Sequence, residues 1–157
     1  LITIIITIVL LEYSLIRNKN LKEWAVFCTD HEVYDKFVNE EERIKHYAAA
    51  DIVVLPSLYE PFGIVCTESM SMAKPTVVGA RGTNGMREQI IPSGEKQCGI
   101  HVNPFEPKDI AWGIIQVLQS PDKGLLWGKN GRQRVIEEFS WDAVTKRTVA
   151  IYKEFLR

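Results

Sequence analysis

A charge imbalance is what this sequence most plainly lacks. Nineteen Lys and Arg stand against 20 Asp and Glu, for a formal net charge of -1 and a pI near 6.4. That balance offers no broad positive field to gather nucleic acid or an acidic membrane surface. An anionic ligand must then be held by local features, such as backbone N–H groups at helix starts. Cysteine is scarce as well. Cys28, Cys66 and Cys98 are odd in number, far apart and never spaced C-x-x-C. This argues against a disulfide framework or a zinc site and for a reducing, cytoplasmic compartment. His31, His46 and His101 are isolated, so no metal cluster is expected and none of the three is assigned a catalytic part. Internal repeats, low-complexity stretches and a dividing linker are missing too. Long apolar runs reduce to one, Leu1 to Leu11, reading LITIIITIVLL. It is too short to span a bilayer, which takes about 20 residues. It also lacks the basic n-region and cleavage site of a signal peptide. Its Ile, Thr and Val predict a buried strand, and no transmembrane segment is expected.

What is present is the composition of an ordinary globular domain, 46% hydrophobic and 25% charged over 157 residues, enough for one domain with a full core. The chain opens on Leu rather than Met and is expected to be a piece of something longer. Glu12 to Trp24 predicts a short helix and Ala25 to Cys28 a small apolar run. Glu32 to Ala50 is charged, with Ile44, Tyr47 and Ala48 at helical spacing and Glu40, Glu41 and Glu42 forming a solvated face. Asp51 to Ser57 is an unbroken apolar run closed by Pro56, as a central parallel strand reads. Leu58 to Gly63 is a turn. Ile64 to Ala73 predicts a helix with Ile64, Val65, Met70, Met72 and Ala73 available for its buried side, stopped by Lys74–Pro75. Thr76 to Val78 is a strand, Gly79 to Gly85 a glycine loop, Met86 to Ile91 a short helix and Gly99 to Val102 a last strand. Two helical stripes follow: Ile110, Ile114, Val117 and Leu118, then Val144, Thr148, Ile151, Tyr152 and Phe155. The alternation predicts an α/β domain, a Rossmann-like parallel sheet with helices on both faces.

In such sheets ligands sit beyond the carboxyl ends of the strands. Two loops leave strand ends and enter helices there, Leu58 to Gly63 and Gly79 to Gly85. If their strands are neighbours, both line one crevice. In the first loop Gly63 permits close backbone approach. The helix beginning at Ile64 and Val65 offers free N–H groups and the positive end of its dipole to a diphosphate. Glu60 before the helix and Glu68 inside it are carboxylates able to accept from paired sugar hydroxyls.

The stretch Pro56-Ser-Leu-Tyr-Glu60-Pro-Phe-Gly63-Ile-Val-Cys-Thr-Glu68-Ser-Met70 resembles the Glu-x7-Glu signature of the group 1 (family 4) glycosyltransferases and their glycogen-synthase relatives. Tyr47-Ala-Ala-Ala-Asp51, Lys74-Pro75-Thr-Val-Val78, the glycine loop, Cys98-Gly99-Ile-His-Val102 and Phe139-Ser140-Trp141 resemble that family in the same order. The resemblance covers roughly residues 44 to 157, and residues 1–30 match poorly. It implies the donor-binding lobe of a GT-B fold, within a single domain over 1–157, without the acceptor-binding N-terminal lobe. It implies transfer of a sugar from a nucleotide diphosphate to an acceptor hydroxyl, on a carbohydrate or lipid-linked acceptor, with retention and with no cofactor or essential metal. Glu60 is then the catalytic candidate, touching donor hydroxyls near the reacting carbon. Phe62, Gly63, Ile64 and Val65 bring backbone N–H groups to the sugar and phosphates, and Glu68 takes the ribose. Thr83, Asn84, Gly85 and Met86 approach the diphosphate and sugar.

This sequence departs from the family's pattern at Ser69, where Ala is usual, and in a path from Pro75 to Glu88 about two residues longer. The family's early Arg and Lys, which clamp the diphosphate, have no match between Leu1 and Asp51, so the chain alone is expected to bind nucleotide weakly and to turn over little or not at all. The full-length protein is expected in the cytoplasm or peripheral to a membrane.

Simpler readings stand beside these. Glu68 is otherwise a surface acid near a helix start, Phe62 a core plug, Arg81 and Arg87 solvated arginines rather than phosphate ligands, and Glu88 a cap of the short helix. Cys66 reads as a packing residue, and Trp112, Trp127 and Trp141 as core or core-edge. A non-catalytic nucleotide-sugar-binding module and a related GT-B epimerase or phosphorylase are the alternative functions.

Overall fold

A computed structural model describes residues 4–6 and 39–156 of the chain. The helix expected at 12–24 and the run at 25–28 lie outside the described residues. Within the apolar N-terminal run, Ile4–Ile6 form strand β1, which pairs in parallel with the next strand through Ile5 and Val53. The predicted burial of that run lies outside what is described.

Helix α1 spans Glu40–Ala49. Asn39 caps it, its side chain accepting from the Glu42 N–H at 2.9 Å, and Glu40, Glu41 and Glu42 sit exposed at the positive end of the dipole. Of the three apolar residues expected on its inner face only Tyr47 is buried; Ile44 and Ala48 are exposed. Tyr47 alone of these reaches the core cluster beneath α2.

Strand β2 (Ile52–Leu55) follows, then helix α2 (Ile64–Ser71), strand β3 (Thr76–Gly79), the one-turn helix α3 (Met86–Gln89) and strand β4 (Gly99–Val102). The four strands lie in sequence order, all parallel. All of Ile52–Leu55 and Thr76–Gly79 are buried, because helices cover both faces. Val53, Leu55 and Val78 face Tyr47, Cys66, Met70 and Met86 on one side. Ile52, Val54, Val77, Ile100 and Val102 face the other side, against helix α4 (Pro107–Leu118) through Val117, Ile110 and Ile114. The Rossmann-like doubly covered sheet predicted from the alternation is therefore the observed architecture.

The buried side of α2 is made by Cys66, Ser69 and Met70. Ile64, expected inside, is exposed, because the i, i+3, i+4 set that meets the sheet starts two residues later. Ser69 belongs to this inner set. The Thr76 hydroxyl donates to the Lys74 carbonyl at 3.0 Å, and the Ser69 hydroxyl, 2.7 Å away, donates to Thr76. A serine in place of alanine is thus satisfied within the core.

Helix α5 (Pro121–Arg134) runs into a π-helical turn, Val135–Phe139, and then helix α6 (Trp141–Phe155), whose N-cap Ser140 accepts from the Ala143 N–H. The stripe predicted on α6 is laid out as a helix, yet only Val144 is partly buried, and Ile151, Tyr152 and Phe155 are exposed. Trp141, expected at the core edge, is 88% exposed. Helical spacing states that one face is apolar; it does not state that this chain covers it.

Candidate functional site

The two loops beyond β2 and β3 are joined. The Glu60 N–H donates to the Thr83 carbonyl at 3.0 Å and the Gly85 N–H to the Glu60 carbonyl at 2.7 Å, forming one parallel bridge between Glu60 and Asn84. Neighbouring parallel strands deliver both loops to the same edge of the sheet, as the sequence required for a shared crevice. Asn84 is buried. Its amide donates to the Ser57 carbonyl at 2.8 Å and its oxygen accepts from the Met86 N–H at 3.0 Å. Gly85 is the N-cap of α3, and Asn84, not Glu88, takes the N–H of its first residue. The Gly85 and Met86 N–H groups are engaged in these contacts, while Thr83 is exposed.

Gly63 is the pivot of the arrangement. Its φ of 85° is left-handed, and a Cβ there would collide with the Met86 side chain and come 3.0 Å from the Glu60 Cγ. Met86, fully buried, fills the space that a side chain at 63 would need. Gly63 is also the N-cap of α2 and brings no capping side chain, so the first-turn N–H groups at Ile64 and Val65 remain open. The Glu60 carboxylate lies at the mouth of this turn, accepting from the Phe62 N–H at 3.4 Å.

The turn is held from behind by residues that sequence reasoning missed. Buried Gln89 donates through Nε2 to the carbonyl of Phe62 and, at 3.5 Å, to that of Gly63. Arg134 donates to the carbonyls of Gln89 at 2.8 Å and Glu88 at 3.0 Å, and its guanidinium lies 5.5 Å over the Phe139 ring. Phe139 meets Phe62 edge-on, with centroids 6.1 Å apart. Phe62 is thus half exposed and half packed, rather than a core plug. The separations in sequence, 27 residues for Gln89 to Phe62 and 45 for Arg134 to Gln89, leave no local pattern by which these contacts are read.

Glu68 stands on the next turn of α2. Arg43 Nη2 lies 3.2 Å from its Oε1, and the Tyr47 hydroxyl donates to its Oε2 at 3.2 Å. Burial, and then the Glu68 charge, push the Tyr47 phenol well above its ordinary range, so it keeps its proton and donates it to Glu68. Burial, with Cys98 second, pushes the Cys66 thiol up in the same way, which fits the packing role read from the sequence.

A hollow of about 630 Å³ opens beyond β3 and β4, lined by Arg81, His101, Asn103, Lys108 and Asp109 among others; neither Glu60 nor Glu68 lines it. Burial lowers the His101 pKa, so its imidazole is neutral at neutral pH. Glu60, just before α2, and Glu68, within it, stand outside this hollow, on the rim formed by the two loops and α2. Among the described residues there is no group of three or more His, Cys, Asp or Glu that could hold a metal ion, and no helix long and apolar enough to cross a membrane.

Comparison with known proteins places this rim in context. An uncharacterized glycosyltransferase of Methanocaldococcus jannaschii is 41% identical over 127 residues, 77% of this chain and 30% of that protein. An MMP alpha-(1->4)-mannosyltransferase of Mycolicibacterium hassiacum is 33% identical over 117 residues, 74% of this chain and 28% of that protein. The chain thus spans less than a third of the length of these relatives. Among solved structures, sucrose-phosphate synthase from Thermosynechococcus elongatus superimposes with a TM-score of 0.73 at 30% identity, covering 92% of this chain and 34% of that one. The Anabaena protein HepE, solved in complex with UDP, has the same fold at 18% identity, with a TM-score of 0.73 over 98% of this chain and 41% of that one. The family described as Glycosyl transferases group 1 matches residues 17–134, starting well upstream of the motifs at 44. With that match laid over the bridged loops and the paired acids, the chain belongs to the group 1 glycosyl transferases.

Proposed function

We propose that this chain is the donor-binding lobe of a retaining glycosyltransferase, which takes a sugar from a nucleotide diphosphate and passes it to an acceptor hydroxyl of a carbohydrate or lipid-linked acceptor. One observation carries the reading: an uncapped helix start, held open by left-handed Gly63, with Glu60 before it and Glu68 along it. A diphosphate at that start accepts from the N–H groups of Gly63, Ile64 and Val65 and lies at the positive end of the α2 dipole. Glu60 accepts from the donor sugar, Glu68 from the ribose, and Thr83 borders the sugar from the second loop. The leaving diphosphate gains charge as the glycosidic bond breaks, and fixed N–H dipoles stabilise that charge without reorganising. The reading calls for no resident cofactor or metal. An open rim suits half of a two-lobed cleft, with a further lobe bringing the acceptor. A cytoplasmic location goes with it.

Calorimetry tests the proposal. The chain is titrated with UDP and with ADP, each repeated on Glu68→Ala. Binding of at least one nucleotide is expected, weakened at least about tenfold in the variant, as loss of hydrogen bonds to a charged group requires. Equal binding by both proteins would sink the role of Glu68. The 157 residues alone are expected to bind without turnover when given UDP-glucose and a sugar acceptor; sustained transfer by the isolated chain overturns the need for a second lobe.

A further inference from the structure

We propose that Arg43 and Tyr47 are positioning residues that fix the plane of the Glu68 carboxylate, so that this site prefers a ribose with both hydroxyls present; the proposal rests on the donor-binding reading above. The two residues lie four apart on α1, the spacing that puts side chains on one helix face. They engage different oxygens of Glu68: Arg43 takes Oε1 and Tyr47 takes Oε2, each at 3.2 Å. A carboxylate accepts at about four lone-pair positions. With one position per oxygen occupied from α1, one per oxygen remains, matching two vicinal hydroxyl donors. A glutamate without these partners turns about its side-chain bonds and meets such a pair only part of the time. Tyr47 is anchored for this task, being 5% exposed and packed in the core under α2. Lys45, two residues on from Arg43, pairs with Glu41 at 2.6 Å rather than with Glu68.

The alternative is that Arg43 and Tyr47 merely fasten α1 to α2. Nucleotides that differ only in the ribose hydroxyls separate the two roles. The protein, Tyr47→Phe and Arg43→Met are each titrated with UDP and 2′,3′-dideoxyuridine diphosphate, or with the ADP pair if ADP binds more tightly. The unaltered protein is expected to prefer the ribonucleotide. In Tyr47→Phe that preference should fall roughly three- to tenfold, the range for one net hydrogen bond, with dideoxynucleotide binding unchanged. An undiminished preference, or equal weakening of both nucleotides, overturns the positioning role and leaves the donor reading intact. Absence of any preference in the unaltered protein overturns the role of Glu68 itself, and this proposal with it. Arg43 is half exposed, so Arg43→Met reports the same shift even if the buried Tyr47 variant does not fold.

Discussion

Gly63→Val is expected to lower stability by about 3 kcal/mol and to abolish nucleotide binding. Two costs combine. A β-branched residue at φ 85° leaves the allowed regions, at roughly 1–3 kcal/mol. Its side chain also enters space held by Met86 and the Glu60 methylene, and overpacking a filled site costs a further 1–3 kcal/mol or so. For a domain of this size the drop corresponds to about 9 °C in Tm. Thermal and urea unfolding measure the first effect and calorimetry with UDP the second. Relief by turning the Met86 side chain is opposed by its burial, since the core around it is filled. A Gly63→Val protein that melts within about 2 °C of the unaltered one and still binds UDP would show that the turn is not held as described.

Glu60→Gln is expected to act on the opposite quantity. On the proposed reading, transfer by a form of the protein that carries an acceptor-binding lobe should fall roughly a hundredfold or more, the scale for losing one group that stabilises a transition state. UDP affinity should change by no more than about twofold, since Glu60 is assigned to the sugar and UDP carries none. The fold should be indifferent. Glu60 bridges to the second loop through its backbone N–H and carbonyl, which glutamine retains, and among the described residues its carboxylate makes one hydrogen bond, the 3.4 Å contact with the Phe62 N–H. Glu68→Ala gives the reverse split, weakening UDP most. If transfer by Glu60→Gln stays within a few fold of normal, Glu60 is not the group that meets the reacting sugar.

Much of the scaffold was legible because its signals are local. Ile52–Leu55 is an unbroken apolar run, and an unbroken run of that length between turn residues has few options besides a strand covered on both faces. Lys74–Pro75 ends α2 near where a proline must. Glu60 and Glu68 stand out in the sequence as candidates because Phe62 and Gly63 lie between them on one strand–turn–helix unit. The errors share a cause. Ile64 was placed inside and Trp141 at the core edge on polarity alone, and polarity does not say which way a helix is rotated or what lies opposite. The apolar stripe of α6 shows the same limit at the scale of a whole element.

Order along the chain settled the alternation of strands and helices, the turn at Pro61–Gly63 and the two acids on either side of it, since each depends on residues within about ten positions of one another. Only folding brought Thr83 and Gly85 onto the backbone of Glu60, Gln89 behind Phe62, and Arg43 with Tyr47 onto the two oxygens of Glu68. Those contacts join segments some twenty or more residues apart. Their geometry follows from how parallel strands stack side by side, which no short window of sequence contains.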